Sequence, residues 1–161
     1  IMYSLSDRYL IKMRKFVGKE IIRIAPTKSG DFCFREKIVN LDSINGGEIR
    51  ISWDKGASHA RFNRASDYLD ENWVRLEEVM AAPHPTLSAL EGRYVKRIPE
   101  GDISFARGVD GFEKDTYKLL KACESHLFLE KRHENGRKEM IILCKDRIVF
   151  NNWILDPEFA D

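Results

Sequence analysis

Apolar and polar positions change period several times along the chain, and the changes divide it into short elements. Tyr9, Leu10, Met13 and Phe16 recur at helical spacing behind a cap offered by Ser6 or Asp7, which predicts a short helix within residues 3–15. From Gly18 the period shortens to two. Ile22 and Ile24 fall on one face of a strand and Ile21 and Arg23 on the other, until Ala25-Pro26 ends it. Residues 27–31 carry turn chemistry, Phe32 to Phe34 is a short extended run, and residues 37–41 and 49–53 are strands around Asn45-Gly46-Gly47, a good hairpin turn. Residues 55–67 are polar and weakly patterned, with Phe62 their only large apolar residue. Residues 68–76 predict a closing strand, with continuation of Leu69 to Met80 as a helix the alternative.

Residues 80–85 hold Pro83 and Pro85, which remove donors and disfavour helix before each, so the stretch predicts a short stiff linker. Thr86 then caps at most one helical turn, to Leu90. A strand over residues 94–98 stops at Pro99. The long loop of residues 100–115 follows, with Gly101, Gly108 and Gly111 and the aromatic residues Phe105 and Phe112. Loops of this length commonly carry binding residues. Strands are expected over 117–123 and 126–131. Beyond the turn at Glu134-Asn135-Gly136, Met140 to Cys144 is apolar on both faces, which suits a central strand or one lying between two copies. Residues 148–155 close the pattern.

Two strings recur in the same order. Gly18-Lys-Glu-Ile-Ile-Arg-Ile24 returns as Gly92-Arg-Tyr-Val-Lys-Arg-Ile98, and the Asn72-Trp73 of the first closing stretch returns as Asn152-Trp153. The chain therefore reads as a duplication of a unit of roughly seventy residues. A unit that small buries only about 60 % of the surface its unfolded chain exposes, so the copies are expected to pack on each other or on a partner.

Each copy, with about five short strands and a closing strand that carries Trp, looks like a small Src-homology-3-like or Tudor-like barrel. The chain resembles small uncharacterised bacterial proteins that open with Gly-Lys-x-Ile/Val-x-Arg and close on Asn-Trp. The resemblance implies an all-β chain of two tandem small Src-homology-3-like barrels with a short N-terminal helix: an extension over 1–13, barrels over 14–79 and 90–161, and a Pro-containing linker over 80–89. Barrels of this kind bind peptides, modified side chains or nucleic acids and rarely catalyse. A non-catalytic binding module is therefore implied, taking a protein or peptide in a barrel groove or in the cleft between copies; fold analogy does not choose among those ligands.

Composition narrows the partner. The 43 % hydrophobic and 33 % charged shares are those of a folded globular chain. Residues 1–80 carry a formal charge of +2 and residues 81–161 of −1, so neither half has the strong basic excess of a non-specific nucleic-acid binder. Cys33, Cys123 and Cys144 are odd in number and widely spaced, which reads as core thiols in a reducing compartment, with a Cys123–Cys144 disulfide as the alternative. No apolar run approaches the ~20 residues of a membrane span, and residues 1–12 lack the pattern of a secretory signal, so a cytoplasmic protein without a membrane partner is expected.

Candidate chemistry is sparse. Trp73 and Trp153 suit either core plugs or ligand platforms, and with Phe105 and Phe112 they form the candidate ligand-binding set. Phe32, Phe34, Trp53, Phe62 and Tyr68, or Tyr117 and Phe150 with the loop phenylalanines, could build a core or a cage for a cation. Asn72 and Asn152 are expected to bond local backbone, and Arg23 and Arg97, read as outward-facing, to pair with an acidic neighbour or bind an anion. The alternative of RNA or single-stranded DNA binding would use Arg61 and Arg64 around Phe62, and Lys131 and Arg132, with a further basic run from Arg8 to Lys19. An inhibitor or immunity-type role is a further alternative. His59, His84, His126 and His133 have no ligand spacing, and no Gly-rich phosphate loop or nucleophile motif is present, so no catalytic residue, metal or cofactor is expected.

Overall fold

The computed structural model of the chain describes residues 10–24, 38–65, 68–69, 71–98 and 115–159, apart from the side chains of Ile148 and Phe159. Its described residues form ten strands in two antiparallel sheets, with a single turn or so of helix at residues 10–13 and a short α-helix at Leu76–Met80. The chain is all-β in class and divides into two compact units; among the described residues the first runs to Glu78 and the second begins at Val79.

The first unit contains β1 (Glu20–Arg23), β2 (Val39–Asn45), β3 (Glu48–Trp53), β4 (Ser58–Phe62) and β5 (Trp73–Arg75), in the spatial order β4-β3-β2-β1-β5. Its core gathers Met13, Phe16, Ile21, Val39, Leu41, Ile49, Ile51, Leu69 and Trp73. The second contains β6 (Tyr94–Arg97), β7 (Thr116–Ala122), β8 (His126–Arg132), β9 (Lys138–Cys144) and β10 (Trp153–Leu155), in the order β10-β6-β7-β8-β9. Val95, Tyr117, Leu119, Leu127, Leu129, Ile141, Leu143, Val149 and Trp153 make its core. Among the described residues the outermost strands have one partner each, so both sheets are open and neither closes into a barrel.

The two units share more than strand order. Gly18 and Gly92 both take the left-handed backbone, at φ 82° and 85°, and each donates its N–H over 2.7 Å to the carbonyl of Leu41 or Leu119. The pairing register then slips at matched points, between Leu41 and Ser43 in β2 and between Leu119 and Lys121 in β7. Such a bulge bends and twists a strand. The closing strands pair with the opening ones in one register, Arg23 beside Trp73 and Arg97 beside Trp153. The two recurring strings thus occupy matching backbone positions in the two units.

Several expectations need correction. Arg23 and Arg97 do not face outward: they are 6 % and 5 % exposed, because the core-facing positions of β1 and β6 are those of Ile21 and Val95, two residues before each arginine. Ile24 and Ile98 are the exposed residues. The weakly patterned stretch contains β4, whose Ser58, Ala60 and Phe62 are only half-buried, as suits an edge strand with small side chains. The closing stretch is part strand and part helix, β5 running straight into Leu76–Met80. β9 is not central but ends its sheet; Ile141, Ile142, Leu143 and Cys144 are nevertheless all buried, so its run of apolar residues reflects cover on both faces. Cys123 and Cys144 are not joined in a disulfide. The stretch from Phe32 to Phe34, with Cys33, lies outside the described residues, as do the cap at Ser6 or Asp7 and most of the 100–115 loop.

The linker is bound to the second sheet. Pro83 bridges to Cys123, His84 N–H donates to the Ala122 carbonyl, and Glu124 N–H donates to that of Ala82. The turn Leu87–Leu90 is capped not by Thr86 but by His84, whose Nδ1 accepts the N–H groups of Thr86 at 3.2 Å and Leu87 at 3.0 Å. Pro85 fixes the chain between them, so a side chain three residues back reaches the free donors.

Two measurements test these points. Gly18→Ala and Gly92→Ala add a methyl group that meets no atom within 4 Å, so the cost is conformational. Each should lose about 1–2 kcal/mol in urea unfolding, and alanine variants as stable as the parent would remove this role. His84 must be neutral at Nδ1 to cap, and burial lowers its pKa. Its contribution is therefore complete above the ordinary histidine pKa and is lost as pH falls through the lower folded value. The parent should exceed His84→Ala by about 0.5–2 kcal/mol at pH 8, with the gap closing under acid; a gap independent of pH would exclude the cap.

Candidate functional site

Strand alternation places the concave site. Tyr94 and Lys96 on β6, Thr116 and Lys118 on β7, and Glu130 and Arg132 on β8 occupy alternate positions, all opposite in parity to the core residues Val95, Tyr117 and Leu129. Tyr94 pairs with Lys118 and Lys118 with Glu130, while Lys96 pairs with Thr116. Asp115, His133, Glu134, Asp156 and Glu158 complete the wall of a cavity of about 930 Å³ contained within the second unit.

Some of its charges are already committed. Asp156 is buried and accepts the Thr116 hydroxyl and the Glu158 N–H. The Thr116 bond above all, then the backbone N–H and the nearby Lys96, holds this carboxyl below its usual range. Asp115 receives Lys131 Nζ at 2.9 Å, and together with burial it pushes the Tyr117 phenol above its ordinary pKa. His133 Nε2 lies 2.8 Å from Glu139 Oε2, which Arg137 also approaches at 3.8 Å, and this ties the end of the β8–β9 hairpin beside the cavity. Lys118 and Glu130 stand opposite each other across two strands without forming an ion pair, and Lys96 and Arg132 are likewise in no ion pair among the described residues.

The same face of the first unit is built differently. Asn40 and Ser52 stand where the second copy has Lys118 and Glu130, and the fully buried Ile22 stands where it has Lys96. Ser52 donates to Asp42 at 3.0 Å.

The candidate residues read from sequence disperse. Trp73 and Trp153 are each 5 % exposed within the two cores, so of their two readings burial matches the core plug. Tyr117 meets Trp153 edge-on at 5.7 Å, and Tyr68 lies between Trp73 and a stacked Phe62. Phe105 and Phe112 lie outside the described residues. Arg61, 3.9 Å from Glu48, and Arg64 are exposed in the first unit; Lys131 is paired with Asp115 and Arg132 lines the cavity in the second. No single surface of either unit collects all four. Lys96, Lys118 and Glu130 were missed, although period-two polar positions on three successive strands signal a polar sheet face. Among the described residues no three His, Cys, Asp or Glu side chains are placed to hold a metal ion, and no helix is long and apolar enough to cross a membrane. Compared with protein-family models and with curated proteins, the chain matches none.

The tryptophans differ in one bond. Trp153 Nε1 donates to the Val149 carbonyl at 2.6 Å, whereas the buried Trp73 Nε1 has no hydrogen-bond partner among the described residues. Trp153→Phe should therefore destabilise by about 1–2 kcal/mol more than Trp73→Phe, since only the former strands a carbonyl. Equal losses in thermal unfolding would contradict the assignment.

Proposed function

We propose that the chain is a non-catalytic binding module of two tandem small Src-homology-3-like units, and that it takes a protein or peptide in the cavity of the second. The strand order with the last strand returned to the first, and a 3₁₀ turn at Ile148–Phe150 ahead of β10, support the kinship with such barrels. The observation that carries the function is the contrast between copies. A fold that tolerates Ile22, Asn40 and Ser52 on this face does not require Lys96, Lys118 and Glu130 there, so those charges serve something other than folding.

Nucleic acid is the weaker reading. Five carboxylates against three Lys or Arg side chains line the cavity, which repels a polyphosphate, and Lys131 is already neutralised by Asp115. Cys123 and Cys144, both buried and neither in a disulfide, support a reducing, cytoplasmic setting.

A random peptide library selected on the immobilised chain tests the proposal. Enriched peptides should bind the parent about tenfold tighter than a Lys118→Ala/Glu130→Ala variant, the loss of two contacts of roughly 0.7 kcal/mol each. Peptides that bind both alike, or displacement by single-stranded RNA with a steep dependence on salt, would overturn it.

A further inference from the structure

We infer that the second-unit cavity selects a peptide carrying an acidic and a basic side chain close together; the inference rests on the peptide reading of that cavity. Asp156 is satisfied by Thr116 and the Glu158 N–H, and Asp115 by Lys131, so neither calls for a ligand. Lys118 and Glu130 are the opposite case. They are cross-strand neighbours of opposite sign, half-buried on the cavity floor, and would normally join. Among the described residues they do not, and Lys96, one strand away and near Asp156, forms no ion pair there either.

The floor therefore presents cations and a carboxylate side by side. Neighbouring strands lie about 4.8 Å apart, so an acid reaching Lys96 and Lys118 and a base reaching Glu130 must themselves sit about 5–10 Å apart. Adjacent or next-but-one side chains of a peptide meet that spacing. A chain of phosphates supplies only the anion, and a purely basic peptide leaves Lys96, Lys118 and Arg132 without a partner from the ligand.

Four synthetic peptides of equal length test this by fluorescence titration of the full chain: one alternating Glu and Lys, one with Glu alone, one with Lys alone and one of Ser and Gly. The alternating peptide should bind at least about fivefold tighter than each of the others, as expected for one further exposed ion pair. Lys118→Glu should shift the preference toward the Lys peptide. The swapped variant Lys118→Glu/Glu130→Lys should restore preference for the alternating peptide, which a merely misfolded protein would not do. Equal binding of all four peptides, or tightest binding of the Glu-only or Lys-only peptide by the parent, overturns the charge selection but leaves the cavity as a peptide site. Failure of all four to bind overturns both.

Discussion

Each unit depends on the return of its last strand to its first. β5 pairs with β1 and β10 with β6, and the Ile24 and Ile98 N–H groups donate to the Asn72 and Asn152 carbonyls over 2.8 Å. The β2–β3–β4 and β7–β8–β9 meanders are joined by short connections. The closing strands, by contrast, reach back across most of a unit, so their pairing costs more loop-closure entropy. A buried Trp at the head of each strand offsets that cost, at about 25 cal/mol for each Å² of apolar surface removed from water. This is why the repeated Asn-Trp pairs belong to the fold. At Asn152 the residue type also matters, because its φ of 70° is one that asparagine tolerates better than most side chains.

Closure fixes the faces that carry Ile21 and Val95 and leaves the opposite faces free to diverge. Ile21 and Val95 hold equivalent core positions, and both arginines that follow are drawn inward beside their tryptophans. Arg97 is accommodated there by donating Nε–H to the Asn151 carbonyl at 3.0 Å. On the opposite parity the copies part: Ile22 against Lys96, Asn40 against Lys118, Ser52 against Glu130. The two units share a strand order, and the second carries the charged cavity.

Strong local signals carried most of the architecture. The alternation around Ile21 and Val95, the Gly46-Gly47 hairpin turn and the recurrence of Asn-Trp were all legible, since each rests on period-two patterning or turn chemistry. β4 was not, because an edge strand holding Ser58 and Ala60 has little apolar contrast. Arg23 and Arg97 misled because charge argued for solvent while strand parity put them inside. His84 was hidden because histidine is an unusual cap. The cavity was the hardest to read: Lys96, Lys118 and Glu130 are ordinary polar positions until the pairing register brings them onto one floor.

On the proposed reading, binding resides on the charged face of the second unit and not on its counterpart in the first. Backbone amide shifts in a two-dimensional NMR spectrum, recorded while the alternating Glu/Lys peptide is added, test it most directly. The account predicts saturable shifts at Lys96, Thr116, Lys118 and Glu130 and none at Ile22, Asn40 and Ser52. Shifts confined to the first-unit positions, or spread equally over both faces, would contradict it.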